Sequence, residues 1–156
     1  MKKNFWIGFV ILILLTGCGY KNLNLETSKT FKIEEISTTG EDRIAYKVKK
    51  FLLINSSKQA INNYDIDLKF EKYKSVKEKN ISNKITKYSL KLSVNMELND
   101  LSNSKEINKS FSQTVDYNVE KNHSDTKRNE KVSTDNLAEL IESDILNFII
   151  IYNNSK

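Results

Sequence analysis

Apolar positions change period three times along this chain. Ile44, Val48, Phe51 and Leu52 recur at i, i+4, i+7 and i+8, which predicts an amphipathic helix over residues 41–54. From Tyr64 the period falls to two, with Tyr64, Ile66, Leu68 and Phe70 alternating against Asp65, Asp67, Lys69 and Glu71. A second run sets Tyr88, Leu90, Leu92, Val94, Met96 and Leu98 against Ser89, Lys91, Ser93, Asn95 and Glu97. A third places Ile107, Phe111, Val115, Tyr117 and Val119 on one face and Asn108, Ser110, Ser112, Thr114, Asp116 and Asn118 on the other. Strands with one apolar face form antiparallel sheets covered on one side. Helical spacing then returns. Leu137, Leu140, Ile141, Ile145, Phe148, Ile149 and Tyr152 make a stripe broken only by Asp144, predicting a long helix that starts near Ser124 or Asp125.

The connections carry their own signals. Phe31, Ile33 and Ile36 mark a short strand in "TFKIEEIST". Thr38-Thr39-Gly40 then reads as a turn and helix cap, with Glu41 and Asp42 where the helix dipole favours acids. The stretches "KEKNISNK" and "NDLSNS" have hairpin-turn chemistry. Tyr73 and Val76 are read as out of phase with Phe70, predicting a bulge or a strand end there. The expected fold class is α+β: a four-stranded mixed sheet in β-α-β-β-β-α order, with two helices packed on one face, in a single domain over residues 31–156.

The first residues read as a targeting signal. Lys2 and Lys3 precede an apolar run from Phe5 to Leu15, eleven residues against the roughly 20 needed to span a bilayer. The run ends in "LLTGC", and Cys18 is the only cysteine in the chain. Leu15-Thr16-Gly17-Cys18 resembles the bacterial lipobox. The resemblance implies cleavage of residues 1–17, a diacylglycerol on the Cys18 thiol and a further acyl chain on the freed amine. Several acyl chains, at roughly 0.8 kcal/mol per buried CH₂, anchor firmly where one chain would not. Residues 18–30 then form the lipidated N-terminus and a polar tether. Gly19 in place of an aspartate implies, by likeness to sorted lipoproteins, release to the outer membrane. With Cys18 modified, no thiol remains for a disulfide, a metal or a nucleophile.

Composition narrows the remaining choices. Cleavage leaves residues 18–156, enough for one cored domain, and the loss of Lys2 and Lys3 lowers the formal net charge from +5 to +3. Acids and bases are interspersed, which argues against nucleic acid and fits a surface near anionic lipid or lipopolysaccharide. Candidate chemistry is sparse. His123 stands alone in a polar segment, as a solvated residue at a helix entrance. Asp65 and Asp67 share the wet face of a strand without the opposed placement of a catalytic pair. Three of the four glycines fall within residues 8–19, so no glycine-rich phosphate loop can be built. The stripe Tyr64, Phe70, Tyr88, Phe111 and Tyr117 is expected in the core. The chain is therefore expected not to be an enzyme and to need no metal or other cofactor beyond the covalent lipid.

The order of elements resembles a known family. After "LTGCGY" come a strand, the helix "EDRIAYKVKKFLLINSS", the strands "YDIDLKF", "KYSLKLSVNMELND" and "KEINKSFSQTVDYNV", and a helix ending "NLAELIESDILNFIIIY". This is similar to the LPS-assembly lipoprotein family (LptE) over essentially the whole mature chain. Tyr88, Leu92, Met96, Leu98 and Asp100 stand at places comparable to the family's strand phrase. The chain departs from it in having Gly19-Tyr20-Lys21 where a proline or Arg-Gly is common. The resemblance implies a plug inside the outer-membrane β-barrel LptD that assists its assembly and helps deliver lipopolysaccharide to the outer leaflet.

Two surfaces follow as candidates. A polar lumen would accept the short-chained face of the third meander strand, which marks Ser110, Ser112 and Thr114, with Asp116 and Asn118 beyond, as barrel-facing. Lipopolysaccharide phosphates call for cations, and the hairpin carrying Lys74, Lys77, Lys79, Lys84 and Lys87 offers a tip remote from the helices. Lys77, Lys79, Lys84 and Lys87 are its lipopolysaccharide-binding candidates. The alternative is an auxiliary periplasm-facing lipoprotein of a lipid-transport ABC system.

Overall fold

The computed structural model describes residues 30–156; the expected signal, Cys18 and the expected tether up to residue 29 lie outside the described residues. Six elements follow in the expected order: β1 (Phe31–Thr39), α1 (Asp42–Asn55), β2 (Asn62–Lys79), β3 (Ile85–Asp100), β4 (Lys105–Asn118) and α2 (His123–Asn154). The strands lie in the order β1-β2-β3-β4. β1 and β2 run parallel because α1 connects them, while the β2–β3 and β3–β4 pairs are antiparallel hairpins. The sheet is mixed, as expected.

The apolar alternation seats one face of this sheet under both helices. Tyr64, Ile66, Leu68 and Phe70 of β2 and Leu90, Leu92, Val94, Met96 and Leu98 of β3 are buried. They meet Ile44, Ala45, Val48 and Leu52 of α1 and Leu137, Ala138, Ile141, Ile145 and Ile149 of α2. Phe31, Ile33 and Ile36 could not all face inward on a regular strand. A register shift between Ile33 and Glu35 resolves this: Glu34 bulges out, and Ile36 turns in opposite Ile66.

Four local expectations are corrected. Thr38 and Thr39 belong to β1, so the turn narrows to Gly40 and Glu41, and α1 begins without a side-chain cap. Gly40 has φ +79°, and a Cβ there would lie 2.1 Å from the Phe70 carbonyl oxygen, which only glycine avoids. β2 neither bulges nor ends at Tyr73. Val76 shares the phase of Phe70 and pairs with Tyr88, and register shifts come only between Val76 and Lys79. Leu140, placed in the buried stripe from its spacing, is exposed, and the small Ala138 packs in the core instead.

The long second half of β2 is stabilised by charge rather than by apolar contact. Lys72 and Lys74 point to the helix side, where Lys72 pairs with Glu41 at 2.8 Å and Lys74 with Glu130 of α2 at 2.9 Å. The Lys74 ammonium also lies 4.2 Å from the centre of the Tyr88 ring. Partial burial works against the charge of Lys74, but its Tyr117 and Glu130 neighbours outweigh that and hold its pKa above the ordinary lysine value.

Candidate functional site

The uncovered face of the sheet is polar across all four strands. Register places the odd-numbered side chains of β2 and β3 beside the even-numbered ones of β4: Lys69 beside Asn95 beside Ser110, and Glu71 beside Ser93 beside Ser112. After the bulge, Ser37 and Thr39 of β1 join the same surface, opposite Asp67 and Lys69. Local bonds link neighbouring strands across it. The Ser110 hydroxyl donates to Asn95 Oδ1 at 2.7 Å, Ser93 and Ser112 face each other at 3.4 Å, and the Ser37 hydroxyl donates to Asp67. A shallow depression of about 390 Å³ lies at the centre, walled by Thr39, Asp67, Lys69, Asn95, Glu97 and Ser110.

The three barrel-facing candidates, Ser110, Ser112 and Thr114, all lie exposed on this face. Asp116 and Asn118 continue the line. The contributions of β1, β2 and β3 were not singled out from sequence. Their polar positions were visible, but only strand order and register join them into one surface. Asp65 and Asp67 belong here too, and Asp65 Oδ1 accepts the Glu35 backbone N–H at 3.0 Å.

The distal hairpin gathers Lys77, Lys79, Lys84 and Lys87 around the turn, but their charges are not equivalent. Lys77 approaches Asp116 at 3.8 Å, and Lys87 binds Glu78 at 2.8 Å, a contact that raises its pKa. Lys79 and Lys84 have no carboxylate within ion-pair distance among the described residues. The turn itself is an Asn80 motif: its Oδ1 accepts the backbone N–H groups of Ser82 and Lys84, and Asn83 adopts φ 59°. Lys74 is corrected away from the tip, since it sits on the helix side against Glu130.

Two further features lie in the helix layer. The outer face of α1 exposes Tyr46, Leu53 and Ile54, and the groove between α1 and α2 contains Glu142. Glu142 is only 4% exposed and its Oε1 has no hydrogen-bond partner; burial pushes its pKa up. His123 opens α2, exposed. Among the described residues, no group of three or more His, Cys, Asp and Glu side chains is placed to hold a metal ion, and no helix is long and apolar enough to cross a membrane.

Solved structures of bacterial lipoproteins share this fold. The crystal structure of rare lipoprotein B from Shewanella oneidensis superposes with a TM-score of 0.65 at 14% identity, over 80% of this chain and 97% of that one. The solution structure of an uncharacterized lipoprotein B from Nitrosomonas europaea gives 0.63 at 12% identity, over 82% and 88%. At these identities the likeness is one of fold. No protein-family model matches the chain, and no curated protein matches it in sequence.

Proposed function

We propose that this protein is a lipid-anchored, non-enzymatic lipoprotein of the outer membrane. In this reading its domain plugs the LptD β-barrel, assists the barrel's assembly and helps deliver lipopolysaccharide. One observation carries the reading: a sheet four strands wide leaves a whole face uncovered, and that face is built from short hydroxyl, amide and charged side chains. A water-filled barrel lumen is lined by polar groups, and such a face can exchange hydrogen bonds with it while ordering few long side chains. The lipobox at Cys18 and the shared fold with lipoprotein B support the anchor and the class. The uncommitted ammonium groups of Lys79 and Lys84 at the distal hairpin are the best placed for lipopolysaccharide phosphates.

The test is co-purification from outer membranes in mild detergent. An epitope belongs in the exposed 101–104 turn and not at the C-terminus, because Lys156 is ion-paired with buried Asp100. Stoichiometric recovery of a large barrel protein is the expected result. Recovery with inner-membrane ATPase subunits, or of the chain alone, would contradict the reading.

A further inference from the structure

The two outer strands of the sheet present their free edges differently. β1 is short, bulged at Glu34 and covered from neighbouring elements: the Ser57 N–H donates to the Phe31 carbonyl at 2.9 Å, and the Lys49 ammonium to the Ile36 carbonyl at 2.7 Å. Such devices keep an edge from pairing. The middle of β4 has none of them. Its register against β3 runs from Lys105 to Asn118 without a shift, and residues 110–115 contain neither charge nor proline. Register also fixes which backbone groups of β4 face outward. Just beyond the ladder, the Val119 N–H donates to the Thr86 carbonyl at 2.9 Å. Antiparallel pairs that exchange hydrogen bonds recur at every second residue, so the odd-numbered residues of β4 bond to β3. The N–H and C=O groups of Asn108, Ser110, Ser112, Thr114 and Asp116 therefore point away from the sheet, with no hydrogen-bond partner among the described residues. Asn118 is next in this phase, and its carbonyl is taken by Asn129 Nδ2 at 3.3 Å.

On the helix side, the same edge carries an apolar shelf. Phe111 packs against Phe148 of α2 with ring centres 6.0 Å apart, Val115 is half-buried, and Leu140 of α2 is 48% exposed. Leu140, Asp144 and Phe148 follow at i, i+4 and i+8, and Gln113 Nε2 donates to Asp144 Oδ2 at 2.7 Å, so this row of α2 runs along the edge. Lys109 lies 5.8 Å from the centre of the Phe148 ring and Lys105 6.0 Å from that of Tyr152. Neither lysine has a carboxylate within ion-pair distance among the described residues.

We infer that the free edge of β4 takes up an extended segment of the partner polypeptide as an added strand of the sheet. The inference rests on the barrel partner of the proposed function and names the backbone contact that engages it. The chemistry of the segment follows from the edge. Its own N–H and C=O groups complete the ladder, and alternate apolar side chains lie on the shelf beside Phe111 and Leu140. Polar side chains between them continue the open face that Ser110, Ser112 and Thr114 already form. A carboxylate belongs at the end near Lys105 and Lys109. A second copy of this chain does not supply it: the helix-side positions of β4 carry those two lysines and no acid, so paired edges would leave both unanswered.

Amide hydrogen exchange separates the possibilities. The lipidated chain is purified in mild detergent, alone and with the barrel protein it recovers, and exchange is resolved residue by residue by mass spectrometry. In the chain alone, the amides of Ser110, Ser112 and Thr114 should exchange fast and those of Phe111, Gln113 and Val115 slowly; in the complex all of them should be slow. Ser112→Pro removes an outward N–H and no bond to β3, a position where an edge strand tolerates proline. It should weaken the complex about tenfold or more, and Ser112→Ala, which keeps the N–H, should weaken it less. A barrel recovered without protection of Ser110, Ser112 and Thr114, or equal losses for proline and alanine, overturns the inference and leaves the barrel reading intact. Protection that appears in the chain alone as its concentration rises also overturns it, in favour of pairing between copies. Recovery of no barrel protein removes the reading and the inference together.

Discussion

The Tyr152 hydroxyl donates to Asp100 Oδ2 at 2.8 Å, joining the last turns of α2 to the end of β3. Asp100 is 1% exposed, and Lys156 pairs with the same carboxylate. Asn103 Nδ2 and the Ser102 backbone N–H add hydrogen bonds at 3.2 and 3.1 Å. Burial alone would raise the Asp100 pKa, but Lys156, Tyr152 and Asn103 outweigh it and hold it below the ordinary aspartate value. The sign follows. A carboxyl whose pKa is lower folded than unfolded contributes stability above the unfolded value, and that contribution is lost as pH falls through the folded value. Asp100→Asn should cost about 1–2 kcal/mol at pH 7 and flatten the acid limb of the stability curve, as measured by denaturant titration at several pH values.

Glu142 behaves oppositely. Burial without a partner raises its pKa, so it holds a proton more readily folded than unfolded, and stability falls as pH rises from the unfolded to the folded value. Glu142→Gln should therefore stabilise the domain at pH 7 by on the order of 1 kcal/mol. The gain should shrink once the medium is acid enough to protonate the glutamate, and a gain independent of pH would contradict the assignment.

Two turn positions make the same backbone demand, a positive φ, on different residues. Gly40→Ala drives a Cβ onto the Phe70 carbonyl oxygen at a positive φ and should cost more than about 2 kcal/mol. Ser104 holds φ 51° in the β3–β4 turn without being glycine, so Ser104→Gly should gain up to about 1 kcal/mol. Thermal melts of the two variants give the comparison directly.

At the distal hairpin, the paired and unpaired lysines should separate in a lipopolysaccharide-binding assay at low salt. Lys79→Gln with Lys84→Gln should weaken binding about thirtyfold, taking about 1 kcal/mol per lysine near an anionic surface. Lys87→Gln, whose charge Glu78 already engages at 2.8 Å, should weaken it less. Equal losses at all three would mean that the tip acts through bulk charge alone.

The sheet was legible in the sequence because Leu90, Leu92, Val94, Met96 and Leu98 alternate without a break, and α1 because Ile44, Val48 and Leu52 hold one phase. The second half of β2 was not, because its helix-side positions are Lys72 and Lys74, stabilised by Glu41 and Glu130 from elements distant in sequence. No local pattern announces such pairs. The bulge at Glu34 was legible only as an anomaly, three apolar residues that a regular strand could not bury together. For the candidate site, Ser110, Ser112 and Thr114 were readable as one wet strand face. Their union with Ser37, Asp67 and Asn95 required register, and the exposed face of α1 required knowing which side of the helix the sheet takes.

An uncovered sheet face that meets a barrel wall should crosslink to it from a photo-reactive residue in place of Ser112. Irradiation of cells carrying the lipidated chain should yield one adduct of large mass with an outer-membrane barrel protein. Irradiation that yields no barrel adduct while the chain sits in the outer membrane, or an adduct with an inner-membrane component, would contradict it.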